Sequence, residues 1–423
     1  MLSGGARAQS ATDQQALFQR MVKQPTNHEI TFEYARIATA RGDYEAAIGA
    51  LERLLFYNPR LTQVKYELGA LYFRLGSYEM AKRYFKEALA SPDLAPETRA
   101  RIEAYLPDAN KQLQNSRFSG FAQTGIRTQT NANYAPASGA ILFNGNPLTL
   151  LPNAQKKSDV NWFGLAGLSH DYDLNVQRGD VLETRFVGYM TEQSRFSQLN
   201  VGLFDASIGP RLSLSEIWQG ATIKPYVIGG NTWLDNKSYL SSVGAGVDLK
   251  LPFGNRFTLG PGFEWRNNDF NIGNVNPVSP FNSGNSYTAS LGGTWQATQT
   301  VRLDTRGFYR HGDAQFNFNT YEQWAAEVAL TYEYAPPFTG IVRNWSVAPF
   351  VRLLDTKFGA PNPFIDPLTT QHDTTWSTGA IFNFPITGWF GVSAAIQYDH
   401  TDSTIQNYRL NNFSVMVGPT ARF

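Results

Sequence analysis

The five histidines, His28, His170, His311, His372 and His400, fall at no spacing that would bring two of them onto one metal ion. No Gly-x-Ser-x-Gly elbow occurs, and there is no cysteine to supply a thiolate or a disulfide. "SHDY" at 169–172 does bring Ser, His and Asp together. It lies in alternating sequence, however, where neighbours along a strand point to opposite faces. A hydrolase built on it is the weaker reading, so no catalytic residue, metal or cofactor is expected. The residues that do suggest chemistry are charges set at every second position. In 301–310, Arg302, Asp304, Arg306 and Arg310 alternate with Val301, Leu303 and Tyr309. The same parity puts Arg127, Glu183, Arg185, Arg211, Asp248, Lys250, Arg256, Glu264, Glu327 and Arg352 on one face. Such a set lines a water-filled interior. Its mixed signs argue against a pore dedicated to one sign of charge, and two roles stay open: conduction, or pairing across neighbouring strands.

The elements that must position these charges differ between the two parts of the chain. Residues 11–116 read as helices. "RGDYEAAIGALERLLFYNP" (41–59) and "LGSYEMAKRYFKEALASPD" (75–93) align at an offset of 34 residues, pairing Gly42 with Gly76, Tyr44 with Tyr78, Glu45 with Glu79 and Ala47 with Ala81. With Leu68-Gly69, Tyr72, Phe85 and Ala88, this is the small/large pattern of a tetratricopeptide repeat. Segments 11–23 and 95–115 read as capping helices. The repeat pattern turns Glu29, Phe32, Arg36, Gln63, Tyr66, Phe73 and Arg74 toward a concave groove. That groove is either a platform for a partner or a solvated spacer.

After Ser116 the period becomes 2 and stays so. Fourteen candidate strands follow at 118–130, 160–173, 181–194, 199–212, 221–232, 239–251, 256–266, 286–297, 300–310, 321–334, 345–354, 374–384, 388–400 and 411–423. Each exceeds the ~9–11 residues that cross a bilayer at a tilt. Short connections (252–255, 297–299, 385–388) alternate with long ones (131–159, 267–285, 311–320, 355–373), the asymmetry of outer-membrane barrels. Trp162, Trp265, Trp295, Trp324, Trp345, Trp376 and Trp389 fall near strand ends, as interfacial girdles do. The expected fold is therefore α+β and multidomain, a tetratricopeptide-repeat domain (11–116) followed by an antiparallel transmembrane β-barrel of about fourteen strands (117–423). An even strand count returns both termini to one side and leaves the helices periplasmic. In the first long loop, the apolar "GAILFNGNPLTLL" (139–151) either folds inward, touches a client, or packs on the rim.

Composition agrees. There are 36 Lys+Arg against 35 Asp+Glu, so no basic field for nucleic acid exists. No run of apolar residues is long enough for a transmembrane helix. "GGARAQ" carries Ala6-Arg7-Ala8, like the end of a secretory signal or a coincidental Ala-rich start, which makes 1–10 a residual signal segment. At the other end "NNFSVMVGPTARF" alternates to the last residue: Phe413, Val415, Val417, Pro419, Ala421 and Phe423 against Ser414, Met416, Thr420 and Arg422. It reads as the closing strand of the barrel. Pro419 belongs at a bulge or beside the first strand, and Phe423 resembles the terminal aromatic read by the barrel assembly machinery.

A periplasmic tetratricopeptide domain fused to such a barrel resembles the surface lipoprotein assembly modulator (Slam) family. "FSGFAQTGIRTQTNANYAP" (118–136) is similar to that family's opening strand, with Thr130-Asn131-Ala132-Asn133 and Ala135-Pro136 as its Ser/Thr-Asn-x-Asn and small-Pro segments. The resemblance implies a translocon moving surface lipoproteins or soluble client proteins from periplasm to cell surface. In it the repeats recruit the client, the barrel gives the path, and a Gram-negative outer membrane surrounds it. Polysaccharide export porins also join such repeats to a barrel, and a general diffusion porin with a periplasmic appendage is the third reading.

Overall fold

The computed structural model describes residues 15–24, 27–113, 115–176, 178–272, 278–338 and 343–423. The segment read as a residual signal, 1–10, lies outside the described residues. The chain divides into two compact units, Met1–Asn115 and Ser116–Phe423.

The first unit holds α1 (15–23), α2 (His28–Ala40), α3 (Tyr44–Tyr57), α4 (Thr62–Arg74), α5 (Tyr78–Leu89) and α6 (Pro96–Gln112). The 34-residue offset has a structural meaning at each position. Gly42 and Gly76, which end α2 and α4, both take φ +80, a left-handed conformation that costs a residue with a Cβ about 1–2 kcal/mol. Asp43 then caps α3 by accepting from the Ala46 amide at 3.3 Å. Ala47 and Ala81 are fully buried where helices meet. Gly69 permits the closest contact: a Cβ there would lie 2.5 Å from Cδ1 of the fully buried Phe85. Leu51, Leu54, Val64 and Leu68 fill the rest of the α2–α5 core, each adding about 1.5–3 kcal/mol by burial.

The second unit is a closed antiparallel barrel of fourteen strands. They are β1 (Ser116–Gln129), β4 (Asp159–Asp173), β5 (Val181–Gln193), β6 (Val201–Ser213), β7 (Thr222–Leu234), β8 (Lys237–Phe253), β9 (Phe257–Phe270), β10 (Gly284–Gln296), β11 (Val301–Gly312), β12 (Tyr321–Tyr334), β13 (Trp345–Pro361), β14 (Thr370–Pro385), β15 (Phe390–Ser403) and β16 (Leu410–Arg422). A small hairpin, β2 (Ala140–Phe143) with β3 (Asn146–Thr149), decorates the first loop. β1 closes on β16, so no edge is left with unpaired amides, as a hydrocarbon surround requires. Fourteen strands at ~4.8 Å spacing and ~40° tilt give a backbone diameter of roughly 28 Å.

The loop pattern is less regular than the sequence suggests. β13 and β14 run on past 354 and before 374, which shrinks the expected 355–373 loop to 362–369. β7 and β8 meet at the far end, the end away from Ser116 and Phe423, through a tight turn at Asp235-Asn236, both at positive φ. Conversely, the connections 214–221 and 335–344 at the terminal end are not tight.

The barrel lumen as candidate functional site

Outward rows come first, because they decide what surrounds the barrel. Paired residues of an antiparallel ladder share a face, so Ile126 and Trp162, or Val328 and Val351, point the same way. Val227, Val243, Leu291, Val328, Val351 and Ile396 are all strongly exposed on this face. Trp162, Trp265, Trp324 and Trp376 ring it toward the far end. Trp295, Trp345 and Trp389 ring the end where β1 begins, Trp345 wedged among Tyr334, Phe338 and Phe384. Trp233 and Trp218 join the two rings. Among the described residues the outward rows between the rings carry no Asp, Glu, Lys or Arg. Uncharged apolar rows between aromatic belts are the exterior of a membrane barrel.

The inward rows hold the charges, and many of them are paired. Glu183, 2% exposed, is the centre of one cluster: it meets Lys224 Nζ at 2.5 Å, Arg185 Nε at 2.8 Å and Arg211 Nε at 3.1 Å. Arg211 reaches on to Asp171 at 2.9 Å. A second cluster joins Arg266 to Glu264 at 2.7 Å and to Asp205 at 2.9 Å, while the Tyr226 hydroxyl donates to Glu264 at 3.0 Å. Across the barrel Arg352 pairs with Glu327 at 2.6 Å, and Arg302 with Asp304 at 2.7 Å. Arg310 donates to Thr288 at 3.0 Å. Lys224, Asp171, Asp205 and Arg266 were not singled out from sequence. The parity that places Arg211, Glu183 and Glu264 inside places them there too, so the signal was present.

Three expectations need correction. Arg256 is in the turn between β8 and β9, not on a lumen-facing strand. In the helical unit, Tyr66 is 9% exposed and packs with Ala81, Phe85, Ala88 and Ile102. Phe73 stands edge-on to Tyr105 at 5.1 Å and to Tyr78 at 5.3 Å. Tyr66 is thus buried rather than open to a groove, while Phe73 is half-buried within this aromatic cluster. Phe32 packs partly against the α2–α5 core, while Glu29, Arg36, Gln63 and Arg74 are exposed. The "SHDY" residues separate: His170 stacks on the outward Phe118 at 4.4 Å, while Asp171 points inward to Arg211.

The first loop packs on the rim. Asn407 and Leu142 exchange two hydrogen bonds, at 2.6 and 3.1 Å, and the Asn144 and Gly145 amides donate to the Phe364 and Ile365 carbonyls. Phe143, Leu148 and Leu151 stay exposed. Asn131, fully buried, brackets Ala135 with both ends of its amide and gives its own N–H to Asn412 Oδ1 at 2.9 Å. Asn133 holds the returning chain at Gln155 and Lys157. The Thr-Asn-x-Asn segment is thus a structural knot that ties the first strand, the last strand and the rim loop together.

Two vestibules flank the interior. Toward the far end a cavity of about 540 Å³ is lined by Asn268, Ser286, Thr288 and Gln323 together with the charged Asp205, Glu264, Arg266 and Arg310. Toward the other end a cavity of about 660 Å³ is lined by Arg302, Glu333, Asn344, Asn383 and Arg422. Together the belted exterior and the polar, charged interior define an outer-membrane type of β-barrel joined to tetratricopeptide-like helical hairpins.

No family model matches this chain, and no curated protein matches it. Solved structures similar to it include a FadL homologue of Pseudomonas aeruginosa, at 12% identity and TM-score 0.39, over 75% of this chain and 92% of that one. OmpT, an outer membrane protein of Vibrio cholerae, matches at 12% identity and TM-score 0.35, over 73% of this chain and 99% of that one. The MamA protein matches at 17% identity and TM-score 0.20, over 24% of this chain and 60% of that one. At these scores the barrel geometry, rather than any of the likenesses, carries the functional reading.

Proposed function

We propose that the protein is a translocon of a Gram-negative outer membrane, moving surface lipoproteins or soluble client proteins from periplasm to cell surface. The observation that carries the reading is the joining of two builds. A helical-hairpin repeat unit ends at Gln112, and the barrel begins at Ser116, at the end where β16 also finishes. In this reading the repeats are periplasmic and recruit the client or its chaperone, and the barrel gives the path. The barrel assembly machinery inserts it and outer-membrane lipid surrounds it. No enzymatic step is part of the proposal; folding of the client outside favours export. The decisive experiment deletes the gene and compares surface proteomes by protease shaving. Loss of a surface protein, reproduced by a chain lacking 11–115 whose barrel still inserts, supports the reading. Unchanged surface proteins with loss of an exopolysaccharide would overturn it.

The polysaccharide reading keeps one observation in its favour. The far-end cavity of about 540 Å³ presents amides, hydroxyls, carboxylates and guanidinium groups beside Tyr321 and Phe358, a mixed hydrogen-bonding lining that suits a hydroxyl-rich chain.

A further inference from the structure

Several inward charges form no ion pair among the described residues, Arg127, Asp248 and Arg310 included, and two unpaired cations share one row. By the registers of β8 to β13, Lys250, Gly260, Gly292, Arg306, Glu327 and Arg352 stand side by side on six neighbouring strands. Glu327 gives its carboxylate to Arg352, not to Arg306. Neither Arg306 nor Lys250 forms an ion pair among the described residues, and both are exposed to the lumen. Between them lie only two glycines. Lys250 and Arg306 are three strand steps apart, about 14 Å at ~4.8 Å per step, so the two cations face each other across a trough with no side chains on its floor. This trough is a cavity of about 370 Å³.

The glycines are not explained by the backbone. Neither has positive φ. A Cβ built on Gly260 would come no closer than 3.6 Å to any atom, and one on Gly292 no closer than 3.7 Å. At Gly262, the next inward position of β9, a Cβ would lie 2.6 Å from the Asp248 carboxylate, so glycine there makes room for a neighbouring side chain. At 260 and 292 the missing side chain leaves space instead, and the space is bounded by two cations with no ion-pair contact, the carboxylates at its edge, Asp304 and Glu327, being engaged by Arg302 and Arg352. An oxyanion there would accept charge-assisted hydrogen bonds from Arg306 and Lys250, the geometry that guanidinium and ammonium groups recognise best.

We propose that Lys250, Gly260, Gly292 and Arg306 form an anion-binding subsite in the lumen, taking a phosphate or carboxylate group of whatever passes. The assignment rests on the reading of the barrel as a passage. Arg302, paired with Asp304 at the edge of the cavity, adds field without a free hydrogen-bonding fork.

The test uses the full chain in planar bilayers, with inorganic phosphate or acetate added to a chloride current. Two variants bracket the site: Lys250→Gln/Arg306→Gln removes the charges, and Gly260→Val/Gly292→Val fills the trough with the charges kept. Half-block by phosphate is expected to need about tenfold more ligand in either variant than in the parent, the loss of a charge-assisted contact. Block by phosphate alone assigns a phosphate ligand, whereas block by both anions assigns any oxyanion. Equal block of all three proteins overturns the subsite. If no protein carries current, the passage reading falls on its own. The subsite is then decided by unfolding in detergent: phosphate must raise the parent's transition temperature and neither variant's, and equal shifts overturn it.

Discussion

Replacing Glu183 by Gln should damage the barrel more than any single cation change around it. Glu183 is a shared carboxylate: its side chain is 3% exposed and serves Lys224, Arg185 and Arg211 at once. Gln keeps the shape but leaves a buried ammonium, Lys224, whose side chain is 6% exposed, without its ion-pair partner, only the cross-strand Asp248 remaining near it. Breaking a buried pair from one side costs about 3–5 kcal/mol. Arg185 and Arg211 have side chains 56% and 33% exposed, so lumen water takes up part of their loss and the lower end, ~3 kcal/mol, is expected. Lys224→Met removes one of three donors and leaves Glu183 two guanidinium partners. It should cost about 1.5 kcal/mol, the lower end of the range for one hydrogen bond to a charged group. The double variant removes both orphaned charges together, so its loss should fall short of the sum by about 0.5–3 kcal/mol. Urea titration of the full chain in lipid vesicles, read by gel mobility of the folded barrel and by tryptophan fluorescence, gives all three values. An additive double variant, or a Lys224→Met loss equal to that of Glu183→Gln, would refute the shared-carboxylate account.

Other outcomes follow from single contacts. Gly69→Ala places a methyl 2.5 Å from Phe85 and should cost the helical unit about 1–3 kcal/mol by overpacking, seen as an earlier loss of the helical circular dichroism signal. Burial and hydrogen bonding to Glu52 push the Tyr72 hydroxyl from an ordinary value near 10 up to about 12, and Tyr84 is raised by burial and Glu52 as well. Because the folded values are the higher ones, this stabilisation is intact below pH 10 and is lost as pH rises toward 12; tyrosinate absorbance should lag that of Glu52→Gln. Removing Phe423 deletes the pair of hydrogen bonds with Gly120, at 3.0 and 3.1 Å, and the proposed insertion tag. The fraction of folded barrel in the membrane should drop, and normal assembly of that variant would contradict the tag.

The barrel was legible in sequence because a lipid surround and a wet interior impose a period of 2 on every strand, whatever the residues are. Its strand ends were not. "DTKFGAP" (355–361) has the Gly, Pro and charges of a loop, yet it pairs with β14 through a register shift between Lys357 and Pro361. Only the partner strand makes it a strand. The burial of Tyr66 and half-burial of Phe73 have a similar cause. Their spacing within α4 matches the repeat pattern, and nothing in that spacing reveals that α6 brings Tyr105 against Phe73 and Phe85. The glycine trough was invisible for another reason. Gly260 and Gly292 gain meaning only from the register that sets them between Lys250 and Arg306.

Closure of the barrel is weighted to its two ends. At one, Gly120 and Phe423 exchange both backbone bonds. At the other, Asn131 and Thr130 engage Asn412 and Phe413. Between them the β1–β16 ladder keeps its register but skips Thr124 and Gly125 opposite Pro419 and Gly418. Along β16 the amides of Phe413 and Phe423 point toward β1, and by strand parity the absent N–H of Pro419 falls on that same side. The proline therefore removes a ladder bond at the seam and leaves the pairing with Val392 on β15 in place. A seam weakened in its middle and clamped at its ends still holds a closed barrel, and the β6–β7 ladder, which skips 209–211 opposite 224–226 around Pro210 and Pro225, is opened in the same way.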